Sequence, residues 1–172
     1  GSISKMYTVC AVMMLVDDGL VDIDQPLVHY IPDFKTADER YLQITPRMLM
    51  NYSSGLYGTN YKDGFTLGDV RTSNHDELLG HLALEGLKRD PGAYSYYCNG
   101  GISLLEILVQ RVSNQSYTDF IRERIAAPLG LKQTVTPQDD FDRLQLARLY
   151  HPIAADVLPV DTVNLIGSGG IY

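Results

Sequence analysis

The chain has 172 residues, 45% of them hydrophobic, and a formal net charge of −7. That is enough apolar sequence for one domain with its own core, while an acidic balance with no Lys/Arg-rich tract gives a nucleic-acid partner no electrostatic footprint. The longest apolar stretch, Val9 to Val16, is too short to span a bilayer.

Ser2 to Asp18 reads as a helix. Met6, Val9, Val12, Met13 and Val16 recur at three- and four-residue intervals, and Cys10 and Leu15 widen the stripe, so this helix is expected to be covered on most sides. Gly19 is a natural stop, because glycine takes the left-handed conformation at low cost. Ser2 and Lys5, three apart, fall on one face, one turn from each other. A hydroxyl is a weak nucleophile until a neighbouring base takes its proton, and an amine beside it can do so. Asp22, Asp24 and Pro26 mark a turn, and Tyr30-Ile31-Pro32 closes a short segment. Thr45 and Pro46 suit the cap and first position of a helix running to about Tyr52, where Ser53-Ser54-Gly55 turns the chain. Residues 55–72 carry no period and read as a surface loop.

Ser73 or Asn74 caps a helix expected through about Leu87, with Leu78, Leu79, Leu82 and Leu84 on its apolar side. Asp90-Pro91-Gly92 is a turn signature. After Tyr97-Cys98-Asn99 a strong helix begins, with Leu104, Leu105, Ile107, Leu108 and Val112 inward, and Asn99 as its default cap. Ser116 opens a further helix to Ala127, ended by Pro128-Leu129-Gly130. Gly167-Ser168-Gly169-Gly170 is a tight turn whose glycines fit a close backbone approach to the first helix. The absence of repeats or linkers points to one compact, mainly helical unit.

Cys10 and Cys98 fit neither a disulfide framework nor a CxxC site, and the His/Cys/Asp spacings match no metal site, so no metal and no cofactor is expected. His29, His75, His81 and His151 read as surface or capping residues. Asp17, Asp18, Asp22 and Asp24 lack the glycine and terminal glutamate of a calcium loop and read as turn residues. Tyr57, Tyr94 and Tyr96 are either half-buried packing residues or the lining of a cleft. Taken alone, Ser2 and Lys5 are a helix cap and a surface lysine. In the company of the downstream segments they read as a catalytic pair.

Those segments, in order, resemble the serine β-lactamase and penicillin-binding-protein superfamily, in its class C β-lactamase, D-alanyl-D-alanine peptidase and esterase branch. Gly1-Ser2-Ile3-Ser4-Lys5 resembles the nucleophile motif, and the run from Leu15 to Asp24, with Tyr30-Ile31-Pro32, the segment after it. Ile44 to Leu49, ending in Ser53-Ser54-Gly55-Leu56, resembles the Leu-Leu-x-His-Thr-Ser-Gly-Leu stretch, with Tyr52 where His is usual. Tyr97-Cys98-Asn99-Gly100-Gly101 resembles the second motif. Ala127-Pro128-Leu129-Gly130-Leu131 and Gly169-Gly170 fall at familiar spacings.

The resemblance implies that Ser2 is the acylated nucleophile, that Lys5 activates it as a neutral or proton-sharing amine, and that Tyr97 completes the proton relay. Asn99 would bind substrate or hold the lysine, and the Ser2 backbone N–H would form half of an oxyanion hole. The implied ligand is a small-molecule or peptide substrate: a β-lactam, a D-Ala-D-Ala peptide or a small ester. The implied compartment is extracytoplasmic. The family's third motif and the strands before its nucleophile are not among these residues. The expectation is therefore a single partial domain over 1–172, the helical part of an α/β fold whose antiparallel sheet is largely missing, able to assemble with that strand region. A second reading stays open: an inactive fragment, or a module that binds cell-wall peptides or a protein partner.

Overall fold

A computed structural model describes residues 1–58, 65–67, 74–153, 156–159 and 161–172, with backbone alone for 65–67, 74–76 and 161. The described chain is mainly helical. In order come α1 (Ser4–Asp17), α2 (Pro46–Met50), α3 (Asn74–Leu82), α4 (Asn99–Ser113), α5 (Tyr117–Phe120), a π-helical run at Ile121–Ala126, and α6 (Ile166–Gly169). Short 3₁₀ turns lie at Leu27–His29, Glu39–Gln43 and Arg143–Gln145. Two strands, β1 (Phe65–Leu67) and β2 (Asp161–Val163), pair antiparallel with Phe65 opposite Val163. The expected loop over 55–72 is thus corrected at 65–67, where β-prone residues meet Thr162 and Val163. Residues 59–64 and 68–73 lie outside the described residues.

The termini follow local chemistry. Gly19, at φ +73°, ends α1 in the left-handed conformation, and the N–H of Leu20 returns to the Leu15 carbonyl at 2.9 Å. The Thr45 hydroxyl caps α2 by accepting from the Met48 N–H at 3.3 Å, with Pro46 at the first position. Ser116 caps α5 by accepting from the Asp119 N–H at 3.0 Å. α3 stops at Leu82, five residues short of the expected end. The N–H groups of Leu84 and Glu85 tighten into bonds to His81 and Leu82, and the Glu85 carbonyl is claimed by the Ala37 N–H at 2.8 Å. Leu78, Leu79 and Leu82 are buried as expected, but Leu84 falls beyond the helix, 83% exposed.

α4 is the central element and packs against α1, α2, α5 and α6. Its Leu104, Leu105, Ile107 and Leu108 are fully buried and Val112 partly so. The expected inner face of α1 is corrected. Met6 and Met13 are exposed, as is Cys10, whereas the buried positions are Ser4, Lys5, Thr8, Ala11, Val12 and Leu15. These recur at helical spacing too, yet their first turns are polar, which apolar patterning passes over. Urea unfolding checks the packing: Leu15→Ala should cost about 2–5 kcal/mol and Leu84→Ala less than about 0.5 kcal/mol. Equal costs would contradict it.

Candidate active site

The site begins in the turn that leads into α1. The N–H groups of Ser4, Lys5 and Met6 bond to the carbonyls of Gly1, Ser2 and Ile3 at 3.0, 3.2 and 3.0 Å. Such three-residue turns stack side chains i and i+3 over each other. Lys5 Nζ accordingly reaches Ser2 Oγ at 3.0 Å. Ser2 is exposed to solvent, whereas Lys5 is only 5% exposed. An exposed hydroxyl is thus backed by a buried amine.

Tyr97 closes the group from the other side, its Oη 2.7 Å from Ser2 Oγ. Lys5 Nζ also lies 5.1 Å from the centroid of its ring. Tyr97 is placed by the residue after it. Cys98, not Asn99, is the cap of α4: its backbone is extended, and its Sγ accepts from the Gly101 N–H at 3.3 Å. The same thiol donates to the Tyr57 carbonyl at 3.0 Å, and burial, above all, pushes its ionisation up, which keeps the S–H available to donate. Asn99 is the first residue of α4, half-buried, with its carbonyl accepting from Ser103 Oγ at 3.2 Å. The structure therefore brings Ser2, Lys5 and Tyr97 within hydrogen-bond reach and sets Asn99 two residues past Tyr97.

Tyr52 supports Tyr97 from behind. Its ring centroid is 5.1 Å from that of Tyr97, and its carbonyl accepts from the Tyr96 N–H at 2.9 Å. Its φ of +65° is a left-handed conformation that a bulky residue rarely adopts. The turn after it is equally constrained. A Cβ on Gly55, at φ +80°, would lie 2.2 Å from the Arg89 carbonyl oxygen, so only glycine fits there.

The electrostatics separate these phenols. Burial pushes the Tyr97 hydroxyl upward, but the hydrogen bonds of Lys5 and Ser2 and the charge of Lys5 outweigh it, leaving it below the ordinary phenol range. Burial holds the Tyr52 hydroxyl above that range, with Tyr97 and Cys98 adding to it.

Behind the nucleophile turn, the polar residues of α1 are joined to the segment around α6. Lys5 Nζ donates to the Ser168 carbonyl, Thr8 Oγ1 to the Gly167 carbonyl at 2.7 Å, and Ser4 Oγ accepts from the Ile171 N–H at 2.9 Å. The expected close approach is present: a Cβ on Gly167 would lie 2.8 Å from Thr8 Oγ1. The segment is a short helix, α6, rather than a turn. One member of this cluster was missed in sequence. Glu106 of α4 is 1% exposed and accepts from the Gly167 N–H at 2.7 Å. Its signal was a lone charge inside the inward apolar run from Leu104 to Leu108.

Other candidates fall elsewhere. Tyr94 and Tyr96 line a pocket of about 420 Å³ with Gly55, Leu56, Lys88 and Arg89, and Lys88 Nζ sits 3.4 Å from the Tyr96 ring centroid. Tyr57 instead offers its carbonyl to Cys98. Asp24 pairs with Arg47 through two contacts, 2.6 and 2.7 Å, Asp18 pairs with Arg124 at 2.9 Å, and Asp22 accepts from the Asp24 N–H. His29, His81 and His151 are exposed, and the side chain of His75 lies outside the described residues. Among the described residues no cluster of His, Cys, Asp and Glu could hold a metal ion, and no helix is long and apolar enough to cross a membrane.

A family model described as Beta-lactamase matches residues 1–172. The chain is 32% identical over 152 residues to penicillin-binding protein 4 of Amycolatopsis lactamdurans, covering 86% of this chain and 38% of that protein. It is 28% identical over 178 residues to the D-alanyl-D-alanine-carboxypeptidase/endopeptidase AmpH of Escherichia coli K12, covering 99% of this chain and 44% of that one. The D-amino acid amidase of Ochrobactrum anthropi SV3 superposes with a TM-score of 0.80 at 24% identity, over 99% of this chain and 50% of the amidase, a likeness of fold. The chain thus spans less than half the length of these two sequence relatives.

Ultraviolet titration of phenolate absorbance tests the electrostatics. The component lost in Tyr97→Phe should titrate below 10 and move up in Lys5→Ala. A midpoint above 10 in the parent protein would contradict the account.

Proposed function

The chain belongs to the β-lactamase family, and on that premise we propose that it supplies the nucleophile of a serine hydrolase acylated on Ser2. The carrying observation is the pair of contacts on one exposed oxygen: Lys5 Nζ at 3.0 Å and Tyr97 Oη at 2.7 Å. Because Lys5 donates to Ser2 Oγ, the proton of Ser2 is directed at Tyr97, whose phenol is held low by Lys5 and Ser2 against the opposing effect of burial. Tyr97 is then the immediate acceptor, and Lys5 stabilises the phenolate.

Acylation is proposed to start from the Tyr97 phenolate: Ser2 Oγ attacks the substrate carbonyl carbon, and the hydroxyl proton passes to the phenolate oxygen, giving the neutral phenol. The Ser2 backbone N–H is one donor to the resulting oxyanion, a kind of contact worth about 2.7–4 kcal/mol. Collapse breaks the bond to the leaving nitrogen or oxygen, which takes the proton from Tyr97. In deacylation, water attacks the acyl carbon, gives one proton to Tyr97, and Ser2 regains it as the acid departs. Asn99 holds the substrate amide. Amides of D-configured residues head the substrate proposal, since two relatives are named for a D-alanyl-D-alanine carboxypeptidase and a D-amino acid amidase. β-Lactams and small esters present the same acyl carbon.

The outer side of α1 and of the turn before it, with Ile3 78% and Met6 65% exposed, supports a further part of the fold packing there, as the strand region would. Intact-mass spectrometry after incubation with a penicillin and a fluorophosphonate tests the reading on the chain with its natural flanking sequence. One adduct should map to Ser2, vanish in Ser2→Ala, and form about 10²–10⁴ times more slowly in Lys5→Ala. Labelling of Ser2→Ala at the parent rate would refute it. A folded protein that takes no adduct would favour the binding-module reading instead.

A further inference from the structure

Glu106 is a buried carboxylate that the proposed reaction does not touch. Burying such a group is costly unless hydrogen bonds compensate it. Here Glu106 sits on α4, 1% exposed, and its Oε2 accepts from the Gly167 N–H at 2.7 Å. The Gly167 carbonyl accepts from Thr8 Oγ1 at 2.7 Å. Since Thr8 spends its single proton there, the 2.7 Å contact with Tyr117 has Tyr117 Oη as the donor. Tyr117 is itself 2% exposed, and burial followed by the charge of Glu106 holds its phenol above the ordinary range, so it stays a donor.

Gly167 is therefore gripped on both sides, its N–H by α4 and its carbonyl by α1. The fit leaves no slack: a Cβ at this position would lie 2.8 Å from Thr8 Oγ1 and 3.0 Å from Glu106 Cβ. The next carbonyl along, that of Ser168, is the one that accepts from Lys5 Nζ. A rotation of the Gly167 backbone would carry the Ser168 carbonyl with it and release the amine from its position under Ser2.

We propose that Glu106 is a positioning residue for Lys5, acting as a hydrogen-bond acceptor that fixes Gly167 and, through it, the Ser168 carbonyl that aims the amine at Ser2. This rests on the reading of Ser2 and Lys5 given above. The role needs an acceptor oxygen in this place and not a charge. Glu106→Gln keeps that oxygen, whereas Glu106→Met fills a similar volume without one. Thr8→Val removes the grip on the other side of the same residue.

The test measures acylation by a penicillin, separating reversible affinity from the acylation rate, on the chain with its natural flanking sequence. Glu106→Met should slow acylation about ten- to hundredfold, as a small misplacement of a reacting group does, with affinity changed less than about twofold. Glu106→Gln should stay within about threefold of the parent. If Glu106→Met does not fold, Thr8→Val carries the test and should show the same loss in rate. Parent-like acylation by folded Glu106→Met overturns the inference, as does an equal loss in Gln and Met, which would make the charge decisive. So does a loss confined to affinity. Ser2→Ala is run alongside. If it abolishes labelling while Glu106→Met acylates normally, only this inference fails. If it labels like the parent, the assignment of Ser2 fails and takes the inference with it.

Discussion

The first turns of the inner face of α1 are polar, and the structure depends on every polar group along them finding a partner. Ser4, Lys5 and Thr8 are at most 5% exposed, in positions where an unmet donor or acceptor costs on the order of 1–3 kcal/mol. Their partners are backbone groups of one distant segment: the Ile171 N–H, the Ser168 carbonyl and the Gly167 carbonyl. The first and last stretches of the chain are thereby clipped together over more than 160 residues. Glycine at 167 is required by the closeness of that contact, and Glu106 of α4 completes the third side.

The same constraint makes the site asymmetric. Lys5 is held from within the protein, while Ser2 stands at the surface and Tyr97 arrives from solvent-facing chain just ahead of α4. A buried thiol fixes that arrival: Cys98 binds Gly101 and Tyr57 at once, so Tyr97 has little freedom before the helix starts. Tyr52, in a left-handed conformation, packs its ring on the far side. Backbone strain of this kind persists only where the surroundings over-determine it. Here the surroundings are the Tyr96 N–H on the Tyr52 carbonyl and the Gly55 turn against Arg89.

Much of this is legible in the amino-acid sequence alone. Capping residues placed α2 and α5 because Thr45 and Ser116 satisfy backbone donors by rules that need no tertiary context. Ser2, Lys5 and Tyr97 were legible as a set through ordered resemblance, and the geometry brings them together. The inner face of α1 was misread because hydrophobic periodicity counts apolar residues, and the decisive face there begins with Ser4, Lys5 and Thr8. α3 ended early because a tertiary bond from Ala37 to the Glu85 carbonyl overrode local propensity. Strand pairing at Phe65–Leu67 needed a partner nearly a hundred residues away, which a local window does not contain. Glu106 did show itself, as a charge in an apolar run, but its meaning lay in Gly167.

On the proposed mechanism Lys5 and Tyr97 act on one proton at Ser2 rather than as two independent aids. A double-mutant cycle of Lys5→Ala and Tyr97→Phe, read as acylation rates, tests it most directly. Groups that work as a unit are strongly non-additive, so the double variant should be scarcely slower than the slower single variant. Losses that multiply would mean that the two residues serve separate steps, and would contradict the account.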